Sequence, residues 1–105
     1  PEGEIVVYGS GSEENEKGYK ETVYSRFNKY PRKGYAIPTI GKSLEEISSS
    51  INDFVEFAKD NPDLRFHVRP LGYDLAGYTV EQIAPLFKEA ISVRNILLPK
   101  EIVEL

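Results

Sequence analysis

Ile5-Val6-Val7-Tyr8-Gly9-Ser10-Gly11-Ser12 is the stretch on which the fold turns. Four apolar residues in a row, too few for a helix and rich in β-branched side chains, read as a strand buried on both faces. The glycine-serine run behind them reads as a turn. A strand of that kind belongs in a parallel sheet covered by helices, and the rest of the chain supplies the alternation such a sheet needs.

Tyr19, Val23, Phe27 and Tyr30 recur every three or four residues, which predicts a first helix stopped by Pro31. Tyr35-Ala36-Ile37 predicts a second strand, broken by Pro38. Ser43 and Glu46 form a capping-box pattern ahead of a second helix. That helix carries Leu44, Ile47, Ile51, Phe54, Val55 and Ala58 on one face and ends near Asn61-Pro62. Leu64, Phe66 and Val68 alternate with Arg65, His67 and Arg69, which predicts a third strand with one apolar and one polar face. A glycine-bearing loop occupies 72–78. Thr79 and Gln82 repeat the capping-box pattern, and Ile83, Ala84, Phe87 and Ile91 make a third helical stripe. Ile96-Leu97-Leu98 predicts a fourth strand, apolar throughout, followed by a tail at 99–105.

The expected architecture is an α/β fold, a single domain over 1–105. It is a three-layer or partly open α/β/α arrangement with three helices and a mostly parallel four-stranded sheet in the order 2-1-3-4. In that order the first helix covers one face and the other two cover the opposite face. The third and fourth strands are then left bare on the first helix's side. The polar residues Arg65, His67 and Arg69 suit that gap, and Ile102, Val103 and Leu105 of the tail, or a partner subunit, could cover the fourth strand.

At 105 residues the chain suffices for one core. Cysteine is absent, which excludes disulfides, zinc-thiolate sites and cysteine nucleophiles. No apolar run reaches membrane-spanning length and no basic-then-apolar leader is visible, so a cytoplasmic protein without a membrane partner is expected. The net charge of −4 offers no general attraction for a phosphate backbone, so nucleic acid is not an expected partner.

Ligands of open α/β sheets bind beyond the carboxyl ends of the strands, where the strand order reverses. Here that point lies between the first and third strands, and a glycine-bearing loop leaves each. Gly9, Ser10 and Gly11 leave the first. Gly72-Tyr73-Asp74-Leu75-Ala76-Gly77-Tyr78 leaves the third. Both loops are expected to enter helix N-termini, which attract anions. Thr39, at the end of the second strand, completes the candidate ligand-binding set. The competing reading is that these glycines only make tight turns, and neither loop fits a dinucleotide or P-loop fingerprint. Glu13, Glu14 and Glu16 behind the first loop repel a phosphate and make that loop the more structural of the two. Asp74 could accept a hydrogen bond from a ligand hydroxyl or an adenine amine, or cap its own turn. Tyr73 and Tyr78 could stack on a base or close over the core. His67, the single histidine, reads as a surface residue beside two arginines. No serine stands in a nucleophile elbow, no catalytic set is recognised, and neither a metal site nor a cofactor is expected.

Tyr35-Ala36-Ile37-Pro38-Thr39, Phe57-Ala58, Asn61-Pro62, Phe66-His67-Val68, Gly72-x-x-Leu75-Ala76-Gly77-Tyr78 and Ile83-Ala84-Pro85-Leu86-Phe87 together resemble a family of small bacterial and phage α/β proteins, which are similar to compact macro-type nucleotide-binding domains. The resemblance covers roughly the last seventy residues. It implies a nucleotide or ADP-ribose-like ligand in the crevice just described. Two features depart from the family pattern: an acidic first loop, and Asp74 where the second loop usually has a glycine. Three functions follow, in this order. The first is a small-molecule binding module. The second is a non-catalytic interaction or structural domain. It would use the fourth strand, the tail or the Arg65-His67-Arg69 face, with a homodimer as one form. The third is a hydrolase of a nucleotide-derived ligand.

Overall fold

The computed structural model describes residues 3–10, 17–25, 28–69 and 77–103. Five strands form one sheet: β1 (Glu4–Ser10), β2 (Gly18–Ser25), β3 (Asn28–Pro38), β4 (Arg65–Val68) and β5 (Ile96–Leu97). Their order is β2-β3-β1-β4-β5. β1 pairs in parallel with β3 and β4, and β4 with β5, while β2 and β3 are antiparallel. The sheet is therefore mostly parallel, as expected, but it has five strands. The four expected strands keep their relative positions, and the fifth lies outside them.

That fifth strand is the main correction. The expected first helix over Tyr19, Val23 and Tyr30 is instead β2 and the first half of β3, and Phe27 lies outside the described residues. Tyr19, Thr22, Val23 and Tyr24 are β-branched or aromatic, types that lose rotamer freedom in a helix and pack well on a pleated surface. Pairing decides the matter: Tyr19 lies opposite Tyr35, Lys20 opposite Gly34 and Val23 opposite Arg32. Tyr19 also stacks on Phe57, with ring centroids 5.7 Å apart.

The helical layer holds α1 (Leu44–Asp60), α2 (Val80–Ile83) and α3 (Lys100–Val103), with two 3₁₀ turns after α2 at Ala84–Phe87 and Glu89–Ser92. α1 begins at the expected capping box. Glu46 N–H donates to Ser43 Oγ, and Ser43 N–H donates to Glu46 Oε1, both at 3.1 Å. The bond from Ser43 N–H, helped by the Ser43 side chain, holds the Glu46 carboxyl below its ordinary pKa. The expected third helix is only one α-helical turn. Pro85 lacks an N–H and ends the regular ladder, the chain tightens into 3₁₀ turns, and Ile91 of the expected stripe is 56% exposed.

The crossovers β3-α1-β4 and β4-α2-β5 step across the sheet in the same direction. With the same right-handedness, both put their helices on one face. One core results. Ile5, Val7, Tyr35, Ile37, Phe66 and Val68 of the sheet meet Ile47, Ile51, Phe54, Ile83, Phe87 and Ile102. Phe54 and Phe57 pack against both Tyr35 and Phe66, at centroid distances of 5.2–5.9 Å.

With no first helix, no described helix covers the opposite face of the sheet, so the described residues form the partly open version of the expected arrangement. Val6 and Tyr8 are only half-buried, in contrast to the strand buried on both faces that the apolar run predicts. Leu97 is 36% exposed, so the last strand is not wholly buried either. The tail contributes Ile102 to the shared core, packed with α2 and the 3₁₀ turn after it, and not to the bare face. Leu105 lies outside the described residues. Among the described residues no helix is long and apolar enough to cross a membrane.

Candidate functional site

The carboxyl ends of β1, β3 and β4 lie on one side of the sheet, and β1 projects furthest. β4 stops at Val68 beside Val7, where Arg69 N–H donates to Val7 O at 2.9 Å. β1 continues through Tyr8 and Gly9 to Ser10, paired with Ala36, Ile37 and Pro38 of β3. Three residues of β1 thus extend beyond β4, a step of about 10 Å at strand rise. No described strand pairs with them on the β4 side. This step, where strand order reverses, is the crevice position expected from the topology.

Two connections flank it. After β3 the chain passes through Thr39, fully buried, and turns at Gly41, whose φ of +74° favours glycine. Lys42 N–H closes that turn on Thr39 O at 3.1 Å. The second connection returns from β4 through Gly77, with φ of +84°, to Tyr78. Tyr78 is partly buried against the core, and its Oη donates to Lys42 O at 2.6 Å. This bond ties the two connections together on either side of β1.

Of the expected ligand-binding residues, Gly9, Thr39, Gly77 and Tyr78 are therefore gathered at one end of the sheet. Ser10 ends β1, but only its backbone is described. Gly11, Gly72, Tyr73, Asp74, Leu75 and Ala76 lie outside the described residues. Gly9 and Ser10 belong to the strand and not to a turn, and Gly9 does not have positive φ. The next described element after β1 is β2 and not a helix, so among the described residues the first loop meets no anion-attracting helix N-terminus. The second loop leads into the four-residue α2. There Gln82 N–H is taken by Thr79 Oγ1, and Thr79 N–H by Gln82 Oε1. The long helix at this end, α1, carries Glu45 and Glu46 in its first turn, which already offset its dipole. The described part of this strand end is thus an aromatic and hydroxyl-bearing edge without a free helix terminus.

Of the Arg65-His67-Arg69 strip, Arg69 follows the end of β4 at the step, and Arg65 begins that strand at its far end. Arg65 and Arg69 are exposed, and His67 Nε2 is 2.8 Å from Glu4 Oε1 across the β1–β4 pair. The hydrogen bond from His67 holds the Glu4 carboxyl below its ordinary pKa, with smaller help from the charges of His67, Arg65 and the amino terminus. No group of His, Asp and Glu suited to a metal ion occurs among the described residues.

Sequence reasoning missed two positioning residues. One is Lys42, which joins the two connections through its backbone carbonyl, so its side-chain type carries no signal for that bond. The other is Asn95. Its Nδ2 lies 2.9–3.0 Å from the carbonyls of Ala58, Asn61 and Leu64, at the C-terminus of α1 and the start of β4. A lone asparagine before a strand gives no hint of partners more than thirty residues away.

No family model, curated protein or solved structure matches the chain.

Proposed function

We propose that the chain is a small-molecule binding module whose ligand is nucleotide-like and sits on the step between β1 and β4. The observation that carries this reading is the Tyr78 Oη–Lys42 O bond, which fastens two separate strand-to-helix connections around the projecting end of β1. Open parallel sheets bind ligands at such a position because diverging connections leave room there that no side chain of the core fills. The resemblance of 35–39 and 72–87 to macro-type domains points to a ligand of the ADP-ribose kind. Base stacking falls to Tyr78, and hydrogen bonding to Asp74 in the second loop. Without a free helix N-terminus among the described residues, recognition rests on the base and ribose more than on phosphate. ADP-ribose and nucleosides should therefore outrank polyphosphates.

A thermal-shift series with ADP-ribose, mononucleotides, nucleosides and cyclic dinucleotides tests this. A ligand held only by the folded state, at a hundred times its dissociation constant, adds about 2.7 kcal/mol, a rise of several degrees for a small domain. A shift from ADP-ribose or a nucleoside, abolished by Asp74→Ala in a protein that still folds, is the expected result. No shift from any of them removes this reading in favour of an interaction domain.

A further inference from the structure

Four large apolar side chains stay exposed among the described residues: Ile40 at 45%, Ile91 at 56%, Leu97 at 36% and Val103 at 51%. Ile91 and Leu97 lie before and within β5, and Val103 lies in α3. Ile40 differs in place. It stands on the connection from β3 to α1, one of the two that flank the projecting end of β1. Ser10, the last residue of β1, pairs with Pro38, two residues before Ile40. The turn that carries Ile40 is held at both ends. Lys42 N–H donates to Thr39 O at 3.1 Å, which closes a turn over 39–42. Gly41 at its third position has φ of +74°, and no described residue other than glycine has positive φ, so Ile40 at the second position has negative φ. Those signs define a type II turn. Thr39 at one end is fully buried, and the Lys42 carbonyl at the other accepts the Tyr78 hydroxyl at 2.6 Å. Such a turn favours glycine at Gly41 but asks nothing of Ile40 beyond negative φ, which almost any residue supplies. The backbone therefore gives no reason for a large apolar side chain that stays nearly half exposed at this strand end.

We propose that Ile40 is a specificity-determining residue: it lies against the base of a nucleoside-like ligand and favours purines over pyrimidines. This inference rests on the reading of the chain as a nucleotide-like binding module. Tyr78 closes on Lys42, two residues from Ile40, so one hydrogen bond holds the tyrosine and the isoleucine turn at the same strand end. Apolar attraction grows with the area removed from water, and a purine offers two fused rings where a pyrimidine offers one. Isoleucine carries no hydrogen-bonding group in its side chain, so it reads the size of a base and not the pattern of donors on its edge.

The competing explanation is that a single exposed apolar residue needs no partner. Isothermal titration calorimetry with adenosine and cytidine separates the two. The unaltered protein is expected to bind adenosine more tightly than cytidine. Ile40→Ser should weaken adenosine binding by about ten-fold, the low end for losing apolar contact within a site, and bring the two affinities together. Ile40→Leu keeps the apolar bulk and should keep the preference. Ile91→Ser makes the same chemical change at another exposed isoleucine and should leave both affinities unchanged. Thermal unfolding checks that each variant folds, and the base preference of the unaltered protein is a test that needs none of them. Three outcomes overturn this inference and leave the binding module standing. They are adenosine binding that Ile40→Ser does not alter, equal loss in Ile40→Ser and Ile91→Ser, and an unaltered protein that binds ADP-ribose without preferring adenosine to cytidine. An unaltered protein that binds neither nucleoside nor ADP-ribose overturns the inference and the module together.

Discussion

Tyr78 Oη and Lys42 O are 36 residues apart in sequence and 2.6 Å apart in space. The bond links the connection leaving β3 to the connection returning from β4, and it is partly shielded from water. Tyr78→Phe keeps the ring and removes only the donor, leaving the Lys42 carbonyl without that partner. A loss of about 1 kcal/mol is expected in urea unfolding, with the m-value unchanged. Affinity for any crevice ligand should fall in the same variant. Stability equal to that of the parent protein would show that the bond holds nothing together.

Gly77 tests the backbone instead. Its φ is +84°, and a Cβ there would meet nothing within 4 Å. Gly77→Ala therefore measures left-handed strain without a clash, an expected cost of about 1–2 kcal/mol. Gly77→Val should cost more, because a β-branched side chain tolerates positive φ worse. Equal stability of glycine and alanine in thermal unfolding would contradict the φ.

Asn95 is expected to matter more than any surface polar residue. Its amide nitrogen reaches three carbonyls at the junction of α1 and β4, and its own carbonyl accepts from Phe66 N–H at 2.8 Å. Asn95→Ala keeps the backbone bond and leaves the carbonyls of the α1 terminus short of a donor. A destabilisation of about 1–3 kcal/mol follows. Asn95→Asp should be at least as damaging, since a carboxylate turns an acceptor toward acceptors. Hydrogen exchange at the end of α1 should quicken in both.

Glu4 and His67 give a pH dependence with a definite sign. The Glu4 carboxyl is held below its ordinary value of 4.5 by the hydrogen bond from His67. A group with a depressed pKa in the fold contributes stability above its unfolded pKa and loses it as pH falls through the folded one. Glu4→Gln should therefore lower the melting temperature slightly at neutral pH and leave it unchanged well below pH 4.5. Both side chains are about a third or more exposed, so solvent and salt screen the pair and the effect should shrink in 0.5 M salt. A difference that persists at the acid end of a melting series would assign the loss to packing and not to charge.

The local signals in the sequence determined the central strand, the long helix and the alternating strand. The run at 5–8 could only be buried by a layer packed on it. The Ser43–Glu46 box fixed the start of α1 through bonds between neighbours. The alternation at 64–68 placed Phe66 and Val68 in the core and left Arg65 and His67 outside it. Each of these rests on contacts within a few residues. Where two local patterns compete, local reading cannot choose. Tyr19, Val23 and Tyr30 fit a helical spacing, yet the segment also consists of strand-forming types, and what decided it was antiparallel pairing, which sets Tyr19 opposite Tyr35, and the ring of Phe57. That one decision moved a helix into the sheet and left the face beside Val6 and Tyr8 without a described helix. The crevice divides in the same way. Strand order and glycines suggested its place, but the overhang of β1 past β4 and the Tyr78–Lys42 bond exist only once distant segments are packed together, because a backbone carbonyl acquires its role from position and not from side-chain type.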